Sequence, residues 1–177
     1  MGRVEILFDK IYEALEEDGY FLTHDMIGRN GHMRWPEALD IVNALWNDLW
    51  KKYKYNHQLK RLELEYENWD CSKEGFEGIR AQDILPLLAE MFNFELFIPW
   101  GGVLDIFVDR GFGHNYDPNE AWDRSFINKV YALNVEKTVD GSIKPTQMIA
   151  AMTKQPVEHP QRYMGLTPEF CLRKPDA

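Results

Sequence analysis

Residues 4–27, VEILFDKIYEALEEDGYFLTHDMI, constrain the fold more than any other stretch of the chain. Val4, Leu7, Phe8, Ile11 and Leu15 recur at helical spacing and mark one apolar face. Asp18-Gly19 supplies a turn. Tyr20-Phe21-Leu22 then begins a strand that runs into the polar Thr23-His24-Asp25. Helix, turn and strand in this order make one repeat of a layered α/β fold. Such a layer usually opens with a strand and a glycine-rich loop that hold a cofactor. Only three residues precede the helix, so the segment reads as the later part of a layer whose opening part this chain does not carry.

A length of 177 residues suits one domain and can bury a substantial core. The apolar share of 45% argues for a folded globule over a disordered chain. Apolar runs are too short to span a bilayer, and MGRVEILFDK lacks the apolar centre of a secretory signal. Position 6 is Ile6, so Met1-Gly2 does not open a myristoylation site. Cys71 and Cys171 match no metal or redox spacing, which fits a reduced cytoplasmic protein. The formal charge of -9 disfavours a nucleic-acid surface, which needs clustered Lys and Arg. Lys51-Lys52-Tyr53-Lys54-Tyr55 with Lys60-Arg61 is a local exception, read here as a solvated surface.

Further elements follow from periodicity. Pro36 starts a helix to about Trp50, with Leu39, Val42, Leu45, Trp46 and Leu49 as its stripe. Residues 51–73 read as an insertion, with Leu62–Tyr66 alternating like an exposed strand. Asp83 is placed to cap a helix through Phe92, and Phe94–Ile98 is the next strand. Residues 103–108 suit a short helix. Asp117-Pro118 opens a helix through about Leu133 that buries Trp122. Gln147–Met152 is the last strand, and residues 155–177 read as an irregular tail.

In this order the elements resemble the C-terminal half of a class I S-adenosylmethionine-dependent methyltransferase. The residues that carry the resemblance are Leu15–Leu22 and the blocks GRNGHMRWPEA, EGFEGIRAQDILPLL and DRGFGHNYD. They are similar to a group of bacterial methyltransferase-like proteins. The resemblance implies a three-layer, partial Rossmann-like fold over residues 1–154, with a small mixed sheet flanked by helices. It makes residues 20–22 the start of the fifth strand, 94–98 the sixth and 148–152 an antiparallel seventh. It also implies S-adenosylmethionine as cofactor of the complete fold. The family's cofactor loop and acid cannot be placed here, so this chain alone is expected to bind none. Whether it is an enzyme is left open by the residues. It is the substrate-side portion of a small-molecule methyltransferase, or a non-catalytic binding or assembly module of that descent.

Site candidates follow from position. His24 and Asp25 are expected just past a strand end, where ligands of open α/β sheets bind. His24 suits a general base and Asp25 an orienting carboxylate, although a turn held by Asp25 accounts equally for the pair. Arg29, Asn30, His32 and Arg34 form a donor-rich loop suited to an anionic or polar small-molecule substrate. Glu74 and Glu77 read as partners of Arg80, and Asp109, Arg110, His114 and Asn115 as a second polar loop, with His114 structural. No spacing resembles a metal site. The first strand would lack a neighbour on one side, so a homo-oligomer or a complementing chain is the expected partner.

Overall fold

The computed structural model describes residues 3–173. Helix α1 (Val4–Ala14) leads to strand β1 (Phe21–Met26). Helix α2 (Pro36–Asp48), short strands β2 (Tyr55–Asn56) and β3 (Arg61–Leu62), helix α3 (Ala81–Met91) and strand β4 (Asn93–Trp100) follow. Helices α4 (Leu104–Val108) and α5 (Ala121–Val139), strands β5 (Gln147–Thr153) and β6 (Gln161–Arg162), and helix α6 (Pro168–Cys171) come last. The protein is thus α/β with a mixed four-stranded sheet. The chain divides into two compact units. One comprises Met1–Met33, Asp70–Trp100 and Lys144–Ala177, the other Arg34–Trp69 and Gly101–Ile143. Each unit is built from separated stretches of the chain.

The first unit contains the sheet, ordered β1-β5-β4-β6. Strand β5 runs antiparallel to both β1 and β4, so those two are parallel to each other. Strands expose alternate residues on opposite faces. Met148, Ala150 and Met152 of β5 fall on the buried face, opposite Asp25, Thr23 and Phe21 on one side and Pro99, Phe97 and Phe94 on the other. Phe8 of α1, Leu85 and Leu88 of α3, and Cys171 of α6 complete the core on that face. Leu7, expected on the buried stripe of α1, is exposed instead. The opposite face carries Leu22, His24, Ile149, Ile98 and Trp100, and the helices of this unit do not pack on it. The core of this unit thus lies on one face of the sheet.

The tail is more regular than its prolines suggested. Strand β6 pairs in parallel with β4, and Arg162 donates to the Phe94 carbonyl at 2.9 Å. Thr167 caps α6 through its hydroxyl, and Leu166 is buried in the core. Residues 174–177 of the expected tail lie outside the described residues, as does Met1-Gly2. The tail therefore covers the β4 edge and leaves the outer edge of β1 without a strand partner among the described residues.

That edge carries its own protection. The Ile27 N–H donates to the Thr146 carbonyl at 2.9 Å, in register with the β1–β5 pairing. Hydrogen-bonded residues alternate in an antiparallel pair. Phe21, Thr23 and Asp25 therefore bond to β5, while Leu22, His24 and Met26 turn their peptide groups outward. The outward N–H of Met26 is taken by its neighbour: Asp25 Oδ1 accepts it at 2.8 Å. A charged cap on one of three open donors blunts the edge.

The second unit is helical with one small hairpin. Ala38, Val42 and Trp46 of α2, Ile106 and Phe107 of α4, and Val130 of α5 form its core. Asn134 on α5 accepts the N–H groups of Val103 and Leu104, supplying the start of α4 with acceptors it lacks locally. Helix α5 runs to Val139, past the expected Leu133, and opens at Ala121 rather than behind Pro118. Asp117 instead accepts from Asn119 next to it. Trp122 is 38% exposed, not buried. Of the expected strand over 62–66, only Leu62 pairs with β2, together with Arg61 before it.

Arg34 belongs to this second unit. Its Nη2 lies 2.5 Å from Asp105 Oδ2, and both side chains are less than a tenth exposed. Asp105 Oδ1 also accepts the Gly102 N–H. Asn68 binds the Arg34 backbone at both ends, accepting its N–H and donating to its carbonyl. Removing one partner of a buried ion pair strands the other charge. Arg34→Ala is therefore expected to lose about 3–5 kcal/mol of stability in chemical denaturation. A loss of under about 1 kcal/mol would mean that the pair is solvent-screened and has no structural weight.

Candidate functional site

The carboxyl ends of the parallel strands β1 and β4 lie side by side across β5, the position at which open α/β sheets bind ligands. His24 is not in a loop past this end, as the sequence suggested. It lies within β1, because the strand runs on to Met26. Its register partner is Ile149, and Ile149 pairs in turn with Ile98 of β4. The His24 ring sits 5.9 Å from the ring of Trp100, on the face without helices. The Trp100 indole N–H is buried and meets no acceptor among the described residues. A buried donor left unmet costs about 1–3 kcal/mol, so its place on a ligand-binding strand end is informative. An exposed imidazole, an unmet indole donor and an apolar floor of Ile98 and Ile149 together form the candidate site.

Asp25 does not share it. Strand alternation puts Asp25 on the opposite face from His24, so the carboxylate cannot orient that imidazole. Burial pushes the Asp25 carboxyl above its ordinary range, against the opposing effects of the Met26 N–H and the nearby His32 and His24.

The loop after β1 is held by close packing. Gly31 adopts φ 71°, and a Cβ there would fall 2.0 Å from Asp70 Oδ1. Its N–H donates to Gly78 and its carbonyl accepts the Cys71 thiol. Asn30 exchanges bonds with Gln82, its side-chain oxygen accepting an N–H from the first turn of α3. This contact, with Arg80, starts α3 two residues before the expected Asp83. His32 stands at φ 55°, with Nδ1 3.6 Å from Glu77 and its ring against Gly78. Arg29 is half-buried beside it. The loop expected to offer free donors thus has Asn30 and His32 engaged with residues 77–82, while Arg34 lies in the other unit. Arg80 pairs with Glu5 and Asp83, not with Glu74 or Glu77.

A nucleotide cradle needs glycines whose missing side chains leave room for a ligand. Gly28 instead faces Thr146, Gly31 faces Asp70, and Gly113 of the second unit faces the Val108 carbonyl. Protein atoms fill each of these three spaces. Among the described residues no group of three His, Cys, Asp or Glu side chains could hold a metal ion, and no helix is long and apolar enough to cross a membrane. Trp100 is the site residue that the sequence did not single out; its place at the end of an apolar strand, just before Gly101-Gly102, was the available signal.

Asp25 gives a pH-dependent test of this geometry. A carboxyl whose folded pKa is raised favours folding below its unfolded pKa, and the benefit is lost as pH rises through the folded value. Asp25→Asn keeps an acceptor for Met26 and removes the buried charge. The variant is expected to exceed the parent in stability at neutral pH, with the gap closing under acid conditions where the parent carboxyl is protonated. Denaturant melts at both pH values check this; a gap of equal size at both would contradict it. In comparisons with known proteins, no family model, no curated protein and no solved structure matches the chain.

Proposed function

We propose that this chain is the acceptor-side portion of an S-adenosylmethionine-dependent small-molecule methyltransferase, with the methyl donor held by residues other than those described. The observation that carries the reading is the His24–Trp100 pair, formed across β5 by the parallel strands β1 and β4. The partial Rossmann-like reading of the sheet is supported by β5, the strand that the resemblance makes antiparallel and that runs antiparallel to both neighbours. Methyl transfer asks a protein mainly for alignment of acceptor and methyl group. The Trp100 N–H would hold an acceptor oxygen, and His24 would take the proton released as that oxygen is methylated. Arg29 and His32 would act at the rim, with Asn30 fixing their loop.

The test has two parts. Calorimetry with S-adenosylmethionine should give no saturable isotherm; low-micromolar affinity, about -8 kcal/mol, would refute the division of labour. Titration with phenol, a small planar hydroxyl compound, should move the Trp100 indole N–H resonance together with the His24 and Ile149 amides, and Trp100→Phe should abolish the amide shifts. A resonance that stays put would remove the acceptor site and favour a non-catalytic module.

The open edge of β1 belongs to the same proposal. It would pair with a second copy through Leu22, which is 69% exposed, and His24, because Met26 is capped by Asp25. Light scattering over a dilution series should show a dimer that dissociates on dilution. A monomer at every concentration would rule the pairing out.

A further inference from the structure

The second unit has a cleft that the proposed function leaves unused. It lies where α4, the loop after it and α5 meet, and its volume is about 530 Å³. Volumes of this size accommodate small molecules. Phe107 and Ile127 line it, as does Val108, whose side chain is 48% exposed although it belongs to a short core helix. Polar groups gather at the rim: Asp109, Arg110 and His114, with the His57 ring 5.3 Å from that of His114.

The charges of this rim are unevenly engaged. Asp109 Oδ1 is turned into its own loop, accepting the N–H groups of Gly111 at 2.7 Å and Phe112 at 3.1 Å. His57 Nε2 is 2.9 Å from Asn115 Oδ1. Arg110 is different: it has no ion pair, hydrogen bond or ring contact among the described residues. Most other arginines of the chain are engaged, Arg61 and Arg80 each by two carboxylates. In the same wall, the Tyr116 hydroxyl is buried and meets no partner among the described residues. An apolar floor, one guanidinium without a partner among the described residues and an unmet hydroxyl occur together at this place.

We infer that this cleft binds a small amphipathic anion, a carboxylate carried on an apolar chain. The floor takes the chain, and Arg110 takes the carboxylate in the two-pronged geometry that a guanidinium favours. Asp109 is held in its own loop by two backbone donors to Oδ1. The overall charge of -9 acts at long range and is screened within about 10 Å at ordinary ionic strength, whereas the guanidinium contact is direct.

The experiment is a heteronuclear NMR titration of the intact chain with sodium octanoate, with 1-octanol and sodium acetate as separate arms. Octanoate should shift the amides of residues 107–116 saturably. Octanol, which lacks the charge, and acetate, which lacks the chain, should each bind at least about tenfold more weakly, a difference of roughly 1.4 kcal/mol. Arg110→Ala should reduce octanoate affinity by at least about the same factor, and Arg110→Lys should restore part of it. Arg110 holds nothing in the folded chain, so the melting temperature of both variants should match the parent. Octanol binding as tightly as octanoate, acetate matching octanoate, an unchanged Arg110→Ala affinity, or no saturable shift with octanoate would each overturn the inference.

Discussion

Strand β5 is the element on which the first unit depends. It hydrogen-bonds to β1 on one side and to β4 on the other, and β1 and β4 have no contact as neighbours without it. Its buried apolar residues are Met148, Ala150 and Met152, two flexible side chains around a small one. Small Ala150 leaves space for Phe97 opposite, and Met side chains adapt to the aromatic rings on either side. Its outward residue Ile149 then forms the floor between His24 and Ile98. The same alternation that builds the core thus also spaces the two polar groups of the candidate site.

Around this sheet, the loops are fixed by contact rather than by regular hydrogen bonding. Gly31 and Gly78 permit an approach that any side chain would block, and they bring residues 28–33 against 70–78. In the second unit the corresponding task falls to buried polar groups. The Arg34–Asp105 pair, the Asn68 clamp and the Asn134 cap each answer a backbone or side-chain group that burial would otherwise leave unmet. The buried phenol of Tyr53 is likewise bonded to Asp123, which also accepts the Asp117 N–H.

Much of the framework was legible in the sequence because apolar period and turn residues report local structure. The helix over 4–14, the helix from Pro36, the short helix near 104–108 and strands β1, β4 and β5 all follow from such patterns. What escaped were features set by distant partners. Arg34 looked like a loop donor because Asp105 is far away in sequence. The Asp25–His24 pairing failed on a single question, whether β1 ends at Leu22 or at Met26; the longer strand sends the two side chains to opposite faces. The start of α3 was misplaced because its first donors are met by Asn30, which no local pattern reveals. Trp100 fell beyond the expected strand 94–98, and an unmet indole donor becomes visible only once its neighbours are in place.

The interleaving of the two units has a consequence for how the chain is made. Every segment of the second unit has been synthesised once the ribosome passes Ile143, so that unit can close early. The first unit cannot. Strand β1 is translated well before Gln147–Thr153, the strand it pairs with, and β4 waits for the same strand. Until β5 is made, two apolar strands are held in a nascent chain without the partner that joins them.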